Sequence, residues 1–202
     1  MKFANPNLRI AFFALVASLS ACQFIPSGKS GENSTENFSA TTEIPAAAQA
    51  AFDSAVAAQQ AQQWPEAESQ FKQLAEKYPQ LSGPQLNLAL LYAQTQRPQQ
   101  AEESFKRALQ INPNNLNGYD QYGIWLRSQA RFQDAETIYL QALARDANHA
   151  ETHLNLAILY DLYMGKLPQA LEHYQRYLEL AGDEKSPVRS WVADLQRRMK
   201  AG

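Results

Sequence analysis

Apolar residues recur at helical spacing from about residue 48 onwards, and the whole hydrophobic pattern repeats every 34 residues. The stretch LNLALLY at residues 86–92 returns as LNLAILY at residues 154–160, and a diverged copy, DQYGIWL, lies halfway between them at residues 120–126. Repeats of this length are typical of stacked pairs of antiparallel helices. The pattern predicts four such units, at residues 48–81, 82–115, 116–149 and 150–184.

Small and aromatic residues keep fixed places within these units. A small residue recurs on each first helix, at Ala55, Ala89, Gly123 and Ala157. On each second helix an alanine is followed four residues later by an aromatic ring, in the pairs Ala67 and Phe71, Ala101 and Phe105, Ala135 and Tyr139, and Ala170 and Tyr174. Two helices approach closely only where side chains are small, and a ring can fill the space between neighbouring hairpins. These positions are therefore predicted to form the core.

The C-terminal end of the repeats is predicted to be closed by one more helix. Residues 47–184 carry the repeats, and residues 186–200 follow with Ser186 as N-cap and Pro187 as the first helical residue. A stack of hairpins needs a cap over its last apolar face. We expect this capping helix to present one apolar stripe, formed by Val188, Trp191, Val192, Leu195 and Met199.

The first 22 residues have the layout of a bacterial secretory signal. Lys2 and Arg9 precede an apolar run that ends in small residues before Cys22, the only cysteine in the sequence. LSAC at residues 19–22 resembles a lipobox, which implies a signal peptide at residues 1–21 and a lipidated Cys22. An ordinary signal peptide or an uncleaved anchor is the alternative. Residues 22–46 are mostly polar after Cys22 and are predicted to form a disordered tether.

Charge and candidate chemistry exclude several classes of function. The formal net charge of -2 provides no basic surface for nucleic acid. The sequence has no Gly-rich phosphate loop and no nucleophile elbow, and His149 falls in a turn instead of sharing a helical face with His153. Glu102 and Glu136, with the acids beside them, are interpreted as solvated faces of second helices. No catalytic residue, metal site or cofactor is therefore expected.

The repeated units resemble tetratricopeptide repeats over residues 48–184. The resemblance implies an all-α fold, namely a right-handed α-solenoid of about four helical hairpins with a C-terminal capping helix, whose first helices line a concave groove. The ligand-contacting positions of the family fall on Leu86, Asn87, Leu90, Asp120, Gln121, Ile124, Arg127, Leu154, Asn155, Ile158 and Asp161. Asn87 and Asn155 match the asparagine that often holds a ligand backbone. The alternative interpretation is that the apolar members, Leu86, Leu90, Leu154 and Ile158, only pack between neighbouring first helices.

The composition of this groove indicates which ligands suit it. Apolar residues with amide edges favour an amphipathic helix or an apolar extended segment. The lysines of the carboxylate-clamp members are missing, since Leu86, Asp120 and Leu154 occupy one of their usual places. Capture of an acidic peptide C-terminus is therefore not expected.

Short lipoproteins of this layout resemble the pilotins and assembly factors of type IV pili, and the C-terminal residues also resemble repeat proteins of TonB-type energising systems. Gln23 follows Cys22 where an aspartate would imply inner-membrane retention, so the resemblance implies a lipid anchor in the outer membrane, facing the periplasm. We expect a non-catalytic scaffold that binds a periplasmic or envelope protein segment, with no nucleic acid and no small-molecule substrate. The alternative is an adaptor for peptidoglycan hydrolases or envelope proteases.

Overall fold

The computed structural model describes residues 44–182 and 186–201, and the regular secondary structure in these two ranges is entirely helical. The helices are α1 (Ala46–Gln60), α2 (Trp64–Lys77), α3 (Gly83–Gln94), α4 (Pro98–Ile111), α5 (Leu116–Ser128), α6 (Phe132–Leu143), α7 (Ala150–Leu159), α8 (Leu167–Ala181) and α9 (Val188–Ala201). A π-helical turn, Tyr160–Met164, continues α7. The all-α solenoid of helical hairpins is thereby confirmed. Among the helices of the described ranges, none combines the length and the apolar character needed to cross a membrane.

Two of the sequence predictions concern the edges of these ranges. The predicted signal peptide, Cys22 and the tether as far as residue 43 lie outside the described residues. Helix α1 begins at Ala46, which is the last residue assigned to the tether. The capping helix begins at Val188, one residue later than predicted, and the Ser186 hydroxyl accepts a long hydrogen bond of 3.4 Å from the Val188 N–H.

The core follows the expected alternation of small residues and rings. The four alanines and the four rings of the second helices are all buried, and so are the small residues of the first helices. At Gly123 the approach is so close that a Cβ atom would overlap the Tyr139 ring. The ring of one unit also packs on the next, since Phe105 stacks on Tyr122 with 5.1 Å between ring centroids. The rings therefore join neighbouring hairpins as well as the two helices of one hairpin.

The turns inside the hairpins all use one left-handed residue. Gln62, Gln96 and Ala130 have φ between 57° and 59° in the first three units. The fourth unit has one extra residue, and its turn combines the π-helical turn Tyr160–Met164 with Gly165 at φ 64°. The longer turn extends α7 and leaves two large side chains, Leu162 and Tyr163, exposed.

Helix α9 packs on α8 as each first helix packs on the second helix before it. Val188 and Leu195 are buried against the core. The Trp191 ring meets the Tyr174 ring edge-on at 6.0 Å, in a place that corresponds to the contact between Tyr122 and Phe105. Trp191 nevertheless remains 42% exposed. Helix α9 thus behaves as a first helix that closes the stack without a second helix among the described residues.

Candidate functional site: the groove of the first helices

The eleven residues predicted to line the groove lie on three first helices. Leu86, Asn87 and Leu90 are on α3, Asp120, Gln121, Ile124 and Arg127 are on α5, and the remaining four are on α7 and its π-helical turn. Helices α5 and α7 lie side by side in the stack. Nine of the eleven remain partly exposed, but the side chain of one of them, Asp161, is only 5% exposed. The other eight are open to a ligand: Asn87, Leu90, Gln121, Ile124, Arg127, Leu154, Asn155 and Ile158. These eight are called the groove residues below.

The other three predicted residues are corrected by the structure, because each is taken up by the packing of the chain itself. Leu86 is only 4% exposed and belongs to the core, as the packing interpretation required. Asp120 is buried between α5 and α7. The carboxylate of Asp161 is covered by Arg198 of α9. A ligand in the groove cannot reach these side chains without displacing a neighbour.

Asp120 joins the third unit to the fourth through a buried polar network. The Thr152 hydroxyl donates a 2.8 Å hydrogen bond to Asp120 Oδ1, and His149 Nδ1 lies 3.4 Å from Asp120 Oδ2. Burial raises the pKa of the Asp120 carboxyl, while hydrogen bonds from Thr152 and Asn155 and the nearby His149 ring oppose that rise. A buried carboxylate is tolerated only when it is hydrogen-bonded in this way. Asp120 therefore has a structural position at the joint between units.

Asp161 holds the capping helix in place. Arg198 Nη2 lies 2.5 Å from Asp161 Oδ1, and the Tyr174 hydroxyl donates to Asp161 Oδ2 over 3.4 Å. The same guanidinium also contacts Asp194 of α9 at 3.1 Å. The charge of Asp161 is thus neutralised by the C-terminal end of the chain.

The two asparagines spend part of their hydrogen-bonding capacity on their own fold. Asn87 Nδ2 donates to the carbonyl oxygen of Gly83 at 3.0 Å. The Asn155 amide opposes the rise that burial causes in the pKa of the Asp120 carboxyl. An amide has two N–H groups and a carbonyl oxygen, so each side chain still has groups for a ligand backbone.

Arg127 is the charged member of the groove residues. Its guanidinium lies over the Tyr163 ring, 5.6 Å from the centroid, and Nη1 is buried without a hydrogen-bond acceptor. Within residues 44–182 and 186–201, no carboxylate lies within ion-pairing distance of it. The hydroxyl of fully buried Tyr139 also has no acceptor. Arg127 Nη1 is therefore a hydrogen-bond donor of the groove that the described part of the chain leaves unused, and the Tyr139 hydroxyl is an unused group in the core behind α5.

The acids interpreted as solvated faces have a different role. Glu68, Glu102 and Glu136 follow the recurring alanine of the second helix at 34-residue intervals, and each binds a cation and a tyrosine of the next unit. Arg131 Nη1 lies 2.6 Å from Glu102 Oε2, and the Tyr122 hydroxyl donates to Glu102 Oε1 at 3.2 Å. The interpretation of Glu102 and Glu136 was wrong because the partner cations lie 29 and 30 residues away. The feature of the sequence that could have indicated this role is the dipeptide Ala-Glu, which recurs every 34 residues.

A histidine pair between α7 and α8 was also missed. His153 Nδ1 lies 2.8 Å from His173 Nδ1, and His153 Nε2 lies 3.0 Å from the carbonyl oxygen of Ala147. Since a carbonyl only accepts, His153 Nε2 carries a proton and one further proton lies between the two rings. Burial and the neighbouring ring lower the pKa of His173. Among the described residues, no group of three or more potential ligands is arranged for a metal ion.

Comparison with known families defines the class of protein. Three models of the tetratricopeptide repeat match residues 49–80, 80–148 and 126–187, which together span more than half of the 202 residues. The chain therefore belongs to the tetratricopeptide repeat family, whose stacked hairpins form scaffolds for protein interaction. No curated protein sequence matches the chain significantly.

Solved structures with this fold include a factor of pilus biogenesis. The chain is similar to PilF of Pseudomonas aeruginosa, with 24% identity and a TM-score of 0.67 over 77% of this chain and 70% of that one. It is also similar to PilW, described as a widely conserved type IV pilus biogenesis factor, with 20% identity and a TM-score of 0.63 over 76% and 70%. A thermophilic tetratricopeptide repeat protein of Thermus thermophilus gives 26% identity and a TM-score of 0.61 over 74% and 81%. These likenesses show the fold.

Proposed function

We propose that the protein is a non-catalytic scaffold, held by a lipid on Cys22 in the outer membrane and facing the periplasm, which binds a segment of an envelope protein in the groove of its first helices. The partner we propose is a component of an envelope machine, in the first place the type IV pilus secretin or its assembly apparatus. The observation that carries the proposal is the row of partly exposed apolar side chains, Leu90, Ile124, Leu154 and Ile158, on three successive first helices.

This row suits a protein segment for physical reasons. Apolar surface that is only partly covered gains free energy when a ligand removes it from water, at roughly 25 cal/mol per Å². The amides of Asn87, Gln121 and Asn155 flank it and can bond a peptide backbone, which pure hydrocarbon surfaces cannot do. Extended concave surfaces of this kind are the usual binding surfaces of solenoid proteins.

The pilus assignment is supported by two of the structural relatives, PilF and PilW. The covered share is similar in both cases and includes most of this chain. The predicted lipidation of Cys22 would place the groove beside the outer membrane. A scaffold needs no metal, cofactor or nucleophile, and the proposed mechanism uses none.

The decisive experiment places a photo-crosslinking residue at Ile124 in living cells, with Gln133 on the exposed face of α6 as the control. We expect adducts with an envelope protein from position 124 and none from position 133. A pilus component in the adduct would support the assignment, whereas a cell-wall hydrolase or protease would favour the adaptor role. Equal adducts from both positions, or none from 124, would argue against the groove as the binding surface.

The lipid anchor is tested separately. Metabolic labelling with a fatty acid should mark the wild-type chain and not a Cys22→Ser variant, and only the wild type should fractionate with the outer membrane. Labelling of both variants, or of neither, would contradict the proposed lipidation.

A further inference from the structure

We propose that Arg127 receives an acidic side chain of the bound segment, so that the groove selects a segment in which Asp or Glu lies within about four residues of an apolar side chain, the spacing of neighbours on one helix face. The inference rests on the proposed function, because it names the chemistry of the ligand at the same groove. It differs from capture of a C-terminal carboxylate, since it needs one arginine and an internal acid.

The distribution of charge along the groove leads to this assignment. Three charged residues were predicted there, and the chain itself engages two of them: Asp120 is buried in its network with Thr152 and His149, and Asp161 pairs with Arg198. Arg127 alone among the three has no ion-pair partner in the described part of the chain. The charged group that the groove offers to a ligand is therefore the cation of Arg127, although the whole sequence has a formal net charge of -2.

The surroundings of Arg127 make an unpaired state unfavourable. Its Nη1 is buried without an acceptor, and a buried donor left unsatisfied is destabilising. The hydroxyl of Tyr139, equally unsatisfied, is close enough for the Arg127 charge to oppose the rise that burial causes in its pKa. A carboxylate accepts hydrogen bonds from two nitrogens of a guanidinium at once and can satisfy such a site.

Apolar residues surround this charge, and they account for the apolar side chain that the bound segment must carry beside its acid. Ile124 precedes Arg127 by three residues and therefore lies on the same face of α5. On the other side stands Tyr163, 46% exposed, whose ring packs on Phe132 with 5.2 Å between centroids. Tyr163 is brought there by the π-helical turn of the fourth unit, and such turns are frequent at functional sites. An acid that reaches Arg127 must bring apolar neighbours onto Ile124 and Tyr163.

The test uses a display library of random peptides, about twelve residues long so that each can span several turns of a helix, selected on the full-length chain. We expect selected peptides to be enriched in Asp or Glu close to an apolar residue. Arg127→Gln should weaken their binding about tenfold, as loss of a charge-assisted hydrogen bond does. Arg107→Gln is the matched control, since Arg107 is exposed on α4 and has no ion pair within the described ranges.

A double-mutant cycle separates direct contact from a general effect on the fold. Replacing the acid of a selected peptide by its amide should cost about tenfold with the wild type and nothing further with Arg127→Gln. The peptide substitution keeps the test valid if Arg127→Gln were to fold poorly. Peptides that depend on Ile124 but are indifferent to Arg127→Gln and to the amide would overturn this inference and leave the proposed groove intact. If peptide binding were also unaffected by Ile124→Asp, or if the selection gave no binders, both the inference about Arg127 and the proposed groove would be contradicted.

Discussion

At the scale of single residues, Gly123 sets the distance between α5 and α6. The Tyr139 ring lies directly on its backbone, and a Cβ atom there would meet three atoms of the ring. The other first helices carry alanine at this place, at Ala55, Ala89 and Ala157, whereas the Tyr139 ring leaves no room for a Cβ atom in the third hairpin.

Gly123→Ala is therefore expected to destabilise the protein by about 1–3 kcal/mol, because overpacking forces the ring or the helix to move. Urea denaturation followed by circular dichroism measures the change in the free energy of unfolding. Asn117→Ala, at an exposed position of the same helix, is the control and should be close to neutral. An unchanged midpoint for Gly123→Ala would show that the ring yields at no cost.

Ala130 stores a small backbone strain in the turn of the third unit. Its φ of 57° lies in the left-handed region, where a Cβ atom costs roughly 1–2 kcal/mol, whereas glycine avoids this steric cost and loses only more backbone entropy on folding. Ala130→Gly should raise the free energy of unfolding by about 0.5–1 kcal/mol. The same substitution at Ala144, which ends α6 with φ -67°, should be neutral or destabilising. Equal effects at both positions in a denaturation experiment would contradict the argument.

At the scale of elements, the joints between hairpins depend on the repeated Glu and cation pairs. Glu68 binds Arg97, Glu102 binds Arg131 and Glu136 binds Lys166. Each of these second helices is therefore joined to the turn inside the next hairpin. At the position of the fourth unit equivalent to these acids stands Leu171, which packs against the core. The series of ion pairs thus ends where α9 replaces a complete fifth hairpin among the described residues.

These ion pairs should make the stability of the protein depend on pH in the acidic range. The hydrogen bond from Arg131 is the main cause that lowers the pKa of Glu102 to about 2 from its ordinary value of 4.5. A carboxyl whose pKa is lower in the folded than in the unfolded state stabilises the fold at pH values above its unfolded-state pKa. For Glu102 this contribution is lost as the pH falls from 4.5 towards 2. Because the pair is partly exposed, we expect about 1 kcal/mol.

Glu102→Gln should remove this contribution at pH 7 and bring the variant close to the wild type at a pH of about 2, where the carboxyl becomes protonated. Thermal unfolding at a series of pH values is the measurement. The neighbour Glu103, exposed on the same helix, provides the control Glu103→Gln. A difference in unfolding temperature between Glu102→Gln and the wild type that stays constant across this pH range would show that the ion pair is not the source of the stabilisation.

At the scale of the whole molecule, the 34-residue period was enough to predict the hairpins and the core. Spacing of small residues and rings is local information, and each unit repeats it. The roles of Asp120 and Asp161 could not be predicted, because their partners lie 32 and 37 residues away on other helices and no pattern in one unit indicates them. The partner of Glu102 lies 29 residues away, and only the repetition of Ala-Glu from unit to unit pointed to it. Leu86 was ambiguous for a related reason, since an apolar residue on a first helix can face the groove or the neighbouring helix. Which of these two directions the side chain takes becomes clear only when three units are packed together.

The closing helix α9 stabilises the end of the stack that it covers, because a solenoid is stabilised mainly by contacts between neighbours. Leu195 is 0% exposed at this interface, and Leu195→Ala should cost about 2–5 kcal/mol locally. Since the loss is confined to one end, hydrogen exchange should become faster in α7 and α8 while α1 to α4 keep the protection of the wild type. Gln196→Ala, exposed next to it, should leave both ends unchanged. Uniformly faster exchange in all helices would mean that the stack unfolds as one cooperative unit, and α9 would then stabilise every hairpin equally.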